Sequence, residues 1–116
     1  MKQKNIKNVH YEDVSMYGST GTSIQWLWGK NDGVIRFALR RFKVSPKGMI
    51  GLHNHSEEHE IYILEGEGIV FNESGVETRV QPQDTLYIPP DEAHGYRNLG
   101  EKDLIFLCII PILEKE

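Results

Sequence analysis

The stretch "GLHNHSEEHEIYILEGEG" (residues 51–68) combines three histidines, an alternating apolar segment and three glycines. His53 and His55 are two residues apart, so on a β-strand both side chains project from the same face. Neutral imidazole is a ligand for Zn, Cu, Fe and Ni, and a metal site needs several such donors side by side. A His-x-His pair alone is more often a polar stripe on a solvated strand, so the interpretation depends on further histidines.

Two further histidines favour a metal site. His59 follows His55 by four residues, and His94 comes shortly after Pro89 and Pro90. The fixed φ of the two prolines restrains the backbone that presents His94. We therefore predict that His53, His55, His94 and a residue near position 59 converge on one metal ion.

The third donor must be chosen between two neighbours, His59 and Glu60. Adjacent residues of a strand point to opposite faces, so only one of them can join the other histidines. His59 shares its face with Ile61 and Ile63, which we expect to face an apolar interior. This alternation favours His59, with Glu60 as the alternative.

Short apolar segments separated by turn residues extend along the rest of the chain. Eleven glycines and five prolines interrupt the sequence, and no ten-residue window shows a helical stripe. The predicted strands cover 23–29, 34–44, two segments within 60–72 with a kink at Gly66 and Gly68, 76–80, 85–88, a short piece around His94, and 104–110. About nine regularly spaced strands predict an all-β sandwich or barrel.

Composition restricts the classes of protein that this sequence can represent. A length of 116 residues is typical of one domain, so we expect a single domain over 1–116. A single cysteine, Cys108, excludes an internal disulfide framework and fits a cytoplasmic protein. The net charge of −4 argues against nucleic acid as a partner. The apolar segment "LIFLCIIPIL" is too short for a membrane span.

Two segments carry a resemblance to a known family. "GMIGLHNHSEEHEIYILEGEG" (48–68) and "QDTLYIPPDEAHGYRN" (83–98) resemble the two motifs of the cupin superfamily. The resemblance implies a jelly-roll β-barrel of about nine to eleven short strands without a substantial helix. Its motif core is about 48–98, and we expect residues 1–22 to be irregular or to contact a second subunit. Three positions depart from the motifs, because Lys47, Gln83 and Asp91 stand where glycines are expected.

The resemblance also implies a ligand set and a metal. His53, His55 and His94 match the family's metal ligands, and with His59 the chain resembles the small single-domain cupins of manganese type that hold a metal with four histidines. It favours Mn or Fe, while Ni, Zn and Cu also suit imidazole. Four neutral imidazoles do not cancel the charge of a divalent ion, so we expect an anionic small-molecule ligand.

The expected pocket and activity follow from this site. Candidate pocket residues are Arg40, Ile61, Ile63, Phe106 and Cys108, with the orientation of Cys108 left open. The first functional interpretation is a metal-dependent, dioxygenase-like oxidoreductase that acts on a small organic molecule. The alternatives are a metal-dependent isomerase and a non-catalytic cupin that binds or senses a small ligand. The sequence assigns no catalytic residue, and it does not single out any of the hydroxyls of Tyr62, Tyr87 and Tyr96.

A homodimer is the expected assembly. Trp26 and Trp28 lie in one predicted strand near the N-terminus. They add more aromatic surface than a small barrel readily covers with its own core, so a second subunit is the expected cover.

Overall fold

The computed structural model describes residues 1–113, and within this range the chain forms nine strands and three short 3-10 turns. The strands are β1 (Glu12–Val14), β2 (Thr20–Trp28), β3 (Phe37–His53), β4 (His59–Glu65), β5 (Gly68–Asn72), β6 (Glu77–Val80), β7 (Thr85–Ile88), β8 (His94–Asn98) and β9 (Leu104–Pro111). The 3-10 turns are Ile6–Asn8, Met16–Gly18 and Lys30–Asp32. The predicted all-β class without a substantial helix is confirmed.

The strands form one antiparallel sheet that curls around a single core. Its order is β6-β5-β8-β3-β9-β4-β7, and β2 pairs with both β1 and β3. Val80 on the edge strand β6 and Ile88 on the opposite edge strand β7 belong to the same buried cluster. Side chains from both edges can share one core only if the sheet bends back on itself, so the interior is barrel-like.

Strand β3 differs from the prediction and connects the two halves of the sheet. We expected a turn at "SPKG" (45–48) to end the strand, but β3 continues to His53. Residues 37–44 of β3 pair with β9, whereas Met49 and Ile50 pair with β8. The turn residues instead form a bulge, in which Lys47 has φ 68°, so the strand bends without ending.

The N-terminal residues are also more regular than predicted. The expected irregular segment 1–22 contains β1 and the beginning of β2. β1 pairs with β2 in the register Glu12↔Ile24 and Val14↔Thr22. No helical segment within the described 113 residues is long and apolar enough to span a membrane.

The three departures from the cupin motifs share one backbone feature. Lys47, Gln83 and Asp91 have φ values of 68°, 76° and 65°. Glycine adopts this left-handed region freely, whereas other residues do so at a cost. The chain therefore forms the same turns as the cupin motifs, but with residues that adopt the left-handed conformation less easily than glycine. Gly66, at the predicted kink between β4 and β5, has φ 83° and lies where any Cβ would approach the Asp103 carbonyl.

Candidate metal centre

Four histidines come together where strands β3, β4 and β8 meet. His53 is the last residue of β3 and His94 the first residue of β8, and the two are direct partners in the antiparallel ladder. His59 is the first residue of β4. His55 lies in the β3–β4 connection. The prediction that His53 and His55 both lie on a strand is therefore wrong for His55. Its backbone carbonyl accepts a hydrogen bond from the Asp91 N–H at 2.8 Å, which ties the connection to the turn before β8.

The distances between the histidines are those of a metal-binding cluster. One ring nitrogen each from His53, His55 and His94 can be chosen so that all three lie within 4.8 Å of one another. His59 adjoins this group, because its Nε2 is 2.7 Å from Nε2 of His55 and its ring centroid is 5.0 Å from that of His94. The structure thus brings together all four histidines that the sequence singled out.

Backbone hydrogen bonds orient two of the rings toward the centre. Nδ1 of His53 donates to the Gly51 carbonyl at 2.7 Å, and Nδ1 of His94 donates to the Glu92 carbonyl at 2.8 Å. Because a carbonyl can only accept, Nδ1 carries the proton and Nε2 keeps a free lone pair. Nε2 of His94 is buried without a hydrogen-bond partner. A buried, unpaired nitrogen beside three other imidazoles is the arrangement that a metal ion would satisfy.

The adjacent pair His59 and Glu60 points as the strand alternation predicted. His59, Ile61 and Ile63 are buried, whereas Glu60 is exposed. On its Nδ1 side, His59 lies 2.7 Å from Sγ of Cys108 and 3.3 Å from a terminal nitrogen of Arg40. The structure therefore presents His59, and not Glu60, to the cluster.

Burial favours the neutral form of three of the four histidines. Burial lowers the pKa of His94 to about 4, and burial together with the nearby Arg40 cation lowers the pKa of His59 to about 2. The pKa of His53 is also lowered, again mainly by burial. Neutral imidazole is the form that binds a metal ion, so these rings are ready to coordinate at neutral pH.

A buried cation adjoins the cluster. Arg40 is only 9% exposed, and a terminal nitrogen donates to Sγ of Cys108 at 3.0 Å. Its Nε has no hydrogen-bond partner. Among residues 1–113, no carboxylate forms an ion pair with Arg40. A buried charge without an ion-pair partner is costly, so Arg40 would gain from a bound anion.

A cavity of about 430 Å³ opens onto three of the histidines, His53, His55 and His59. Its wall includes Arg40 as expected, together with residues that the sequence did not suggest, namely Ile24, Trp26, Phe42, Ile50, Tyr96 and the segment 12–17. The expected pocket residues Ile61, Ile63, Phe106 and Cys108 instead belong to the buried core and are absent from the wall. The alternation of side chains along a strand separates interior from exterior residues. It does not show which interior side chains pack together and which face a cavity.

The structure also distinguishes the three tyrosines. Tyr96 is buried and lines the cavity, and its ring centroid is 5.5 Å from that of His94. Tyr62 and Tyr87 are exposed on the outer face of the sheet. The sequence contained the signal for Tyr96, since it lies two residues after His94 and shares its face of β8.

Comparison with known proteins gives the family. The family described as "Cupin domain" matches residues 40–110, more than half of the chain. This chain belongs to the cupin family. The nine-stranded curled sheet of this cupin is the jelly roll that the resemblance implied, and its histidine cluster supports metal binding.

Individual relatives of this cupin are similar over most of its fold. The polyketide cyclase RemF from Streptomyces resistomycificus superposes with a TM-score of 0.89 and 35% identity, covering 96% of this chain and 79% of that one. A predicted oxalate decarboxylase from Thermotoga maritima gives a TM-score of 0.80 and 29% identity, covering 92% and 96% of the two chains.

A curated relative is similar over a shorter segment. The oxalate-binding protein of Thermotoga maritima is 40% identical over 74 residues, which are 63% of this chain and 60% of that protein. Across the curated relatives, the matched segment spans only 46% to 60% of their length.

Proposed function

We propose that this cupin is a metal-dependent enzyme that binds a small organic anion through oxygen atoms at its histidine cluster. The observation that carries the proposal is the buried Arg40 guanidinium, which has no ion-pair partner and lies beside the histidine cluster. A divalent ion in this cluster would add further positive charge next to Arg40, and the four histidine ligands carry no negative charge to offset it. An anionic ligand bound between the ion and Arg40 would supply the missing charge.

The proposed ligands are His53, His55, His59 and His94, with Mn or Fe as the favoured metal. The free Nε2 atoms of His53 and His94 support this set. His59 can join it when its Nδ1 donates to Sγ of Cys108, because its Nε2 then has a free lone pair. Four nitrogens and no carboxylate leave the metal's full charge available to polarise a substrate.

When bound, the metal would act as a Lewis acid on the substrate's oxygen atoms. Arg40 would hold the anion's second charged oxygen, and the apolar wall formed by Ile24, Phe42 and Ile50 would exclude water. Tyr96 places a hydroxyl-bearing ring at the cavity wall next to His94. Burial raises the pKa of Tyr96 well above its usual value, so the hydroxyl stays protonated and can donate a hydrogen bond to the substrate.

The named relatives favour chemistry without an external oxidant. A polyketide cyclase and oxalate proteins handle molecules with oxygen atoms on neighbouring or alternate carbons, which can bind one metal through two oxygens. The first candidate reaction is therefore enolisation of such a carbonyl compound, followed by isomerisation or ring closure. We prefer it to oxygenation. The dioxygenase-like reaction expected from the sequence is the second candidate, because the same two-oxygen binding also suits an oxidative cleavage.

Turnover with and without oxygen separates these candidates. Protein loaded with Mn(II) or Fe(II) is incubated with β-diketones, catechols and 2-oxo acids in air and anaerobically. Substrate loss at equal rates in both conditions supports Lewis-acid chemistry, whereas oxygen-dependent loss supports the oxygenase. Binding of these compounds without any turnover would identify the non-catalytic, ligand-binding alternative.

The role of Arg40 is tested by anion binding. Arg40→Met should weaken the binding of oxalate to the metal-loaded protein by roughly 10-fold or more, because a charged hydrogen bond contributes about 1.5–3 kcal/mol. Arg97→Met is the matched control, since Arg97 lies on another strand and pairs with Glu77 at 2.6 Å. Equal oxalate affinity for the wild type and Arg40→Met would contradict the proposal.

A further inference from the structure

An N-terminal segment reaches over the edge of the histidine cluster. We define the N-terminal clip as Ser15–Ser19, between β1 and β2. In this clip the ring of Tyr17 stacks on the ring of His53, with centroids 4.6 Å apart and planes 9° from parallel. We infer that Tyr17 is a positioning residue for His53, and that the clip and the metal stabilise each other. This inference rests on the proposed role of His53 as a metal ligand.

Gly51 is the docking point of the clip. Its N–H donates to Oγ of Ser19 at 3.2 Å, and Oγ of Ser19 donates to the Met16 carbonyl at 2.6 Å. A Cβ at Gly51 would lie 1.7 Å from the Tyr17 carbonyl oxygen, so only glycine lets the two segments approach this closely. The carbonyl of Gly51 also accepts the hydrogen bond from Nδ1 of His53. A single residue therefore contacts both the clip and the ligand.

The backbone of Tyr17 indicates that its ring is needed at this place. Tyr17 has φ 60° and ψ 30°, which is the left-handed conformation that glycine adopts freely and tyrosine rarely does. The ring is not retained for burial, since Tyr17 remains 54% exposed. Such a conformation persists where surrounding contacts impose it, and the stacking on His53 is the contact that an aromatic ring supplies here.

The stacked ring restricts the motion of His53. The hydrogen bond to Gly51 selects the Nδ1–H tautomer, while the parallel Tyr17 ring limits tilting of the imidazole plane. A pre-oriented ligand loses less freedom when it binds a metal, so the affinity for the metal rises. By reciprocity, bound metal must then strengthen the docking of the clip by the same factor.

Substitutions at Tyr17 separate positioning from folding. Tyr17→Gly removes the ring and also relieves the left-handed backbone, so the apo-protein should melt no lower than the wild type. Its affinity for Mn(II), measured by calorimetry, should nevertheless fall roughly 10-fold, as for other residues that orient a metal ligand. Tyr17→Phe keeps the stacked ring and should bind within twofold of the wild type.

Gly51→Ala provides a second approach. The new methyl group should displace the clip and reproduce the affinity loss of Tyr17→Gly without touching the Tyr17 ring. Gly100→Ala is the matched control, because its added Cβ would find its nearest atom at 3.7 Å. If Tyr17→Gly and Gly51→Ala bind Mn(II) within twofold of the wild type, the inference is wrong.

The wild type alone also tests the reciprocal effect, should a variant fail to fold. Chymotrypsin cleavage after Tyr17, followed by mass spectrometry, should slow roughly 10-fold when saturating Mn(II) is added. An unchanged cleavage rate in protein that has taken up Mn(II) would overturn the inference while leaving the proposed function intact. A wild type that binds no divalent metal would instead overturn the proposed function.

Discussion

Nδ1 of His59 lies 2.7 Å from Sγ of Cys108, although 49 positions separate the two residues in the sequence. Pairing of β4 with β9 brings them together, since Ile61, two residues after His59, is the ladder partner of Cys108. Arg40 donates to the same sulfur at 3.0 Å. The thiol therefore connects the histidine cluster to the buried cation.

Cys108 should be oxidised selectively when a redox-active metal is bound. Its side chain has 0% exposure, and burial raises the pKa of its thiol, so oxidants in bulk solvent should modify it slowly. Fe(II) or Mn(II) held beside His59 would generate the oxidant locally. Mass spectrometry after treatment with dilute peroxide should show more Cys108 oxidation in Fe-loaded than in apo-protein. Zn-loaded protein is the redox-inert control, and equal oxidation in all three forms would contradict the prediction.

Removal of His59 should weaken metal binding, whereas removal of Glu60 should not. His59→Ala deletes a nitrogen that contacts His55 within the cluster and should lower the affinity for Mn(II) and Ni(II) at least roughly 10-fold. Glu60→Ala removes an exposed carboxylate and is the adjacent control. Titration of both variants at one pH measures the difference. The opposite ranking would assign the third ligand to Glu60.

Restoring glycine at positions where the chain departs from the cupin motifs should stabilise the protein. Lys47 and Gln83 hold left-handed backbone conformations, which cost non-glycine residues about 1–2 kcal/mol. Lys47→Gly and Gln83→Gly remove this cost but add freedom to the unfolded chain, so we expect a net gain of up to about 1 kcal/mol each. Urea unfolding measures it. Gly75→Ala is the inverse control, because Gly75 has φ 80° and open space around it, and it should destabilise.

The metal-free protein should lose stability as the pH falls from about 6.5 toward 4. The pKa of His94 is about 4 when folded and 6.5 in its ordinary state, and that of His59 is lowered further. Between these values the unfolded chain binds protons that the folded chain does not, so acidification favours unfolding. Thermal melts from pH 7 to 4.5 should show the decline. His94→Gln should flatten the profile in this window, and an equally steep profile would argue against His94 as the cause.

The predicted homodimer has a candidate contact surface. Ile35 and Phe37 are 81% and 63% exposed, and together with Ile109 they surround a shallow surface cavity that also includes Trp28. Light scattering at micromolar concentration should give the mass of two chains, and Phe37→Glu should shift it toward one. Val76→Glu changes an exposed apolar residue elsewhere and should leave the mass unchanged. A monomeric wild type would contradict the prediction.

Much of the fold and the cluster could be read from local sequence pattern. Alternation of polar and apolar residues in 59–64 is a property of one strand, and it correctly separates the buried His59 from the exposed Glu60. Turn residues such as Gly66 mark strand ends because their φ preference is intrinsic. The prediction that the strand ends at 45–48 was wrong for a related reason, since a β-bulge and a turn favour the same residue types. Pairing with β2, β8 and β9 keeps β3 continuous there.

The sequence by itself determined the all-β class, the inward face of the strand that begins at His59 and the histidines that could meet, because these depend on spacing along a single chain segment. Only the tertiary structure decided which interior side chains line the cavity, that Arg40 is buried without a carboxylate partner, and that Tyr17 stacks on His53. These relationships join residues tens of positions apart. Their geometry follows from strand register and from the bend in β3, which arise only when the whole sheet packs around one core.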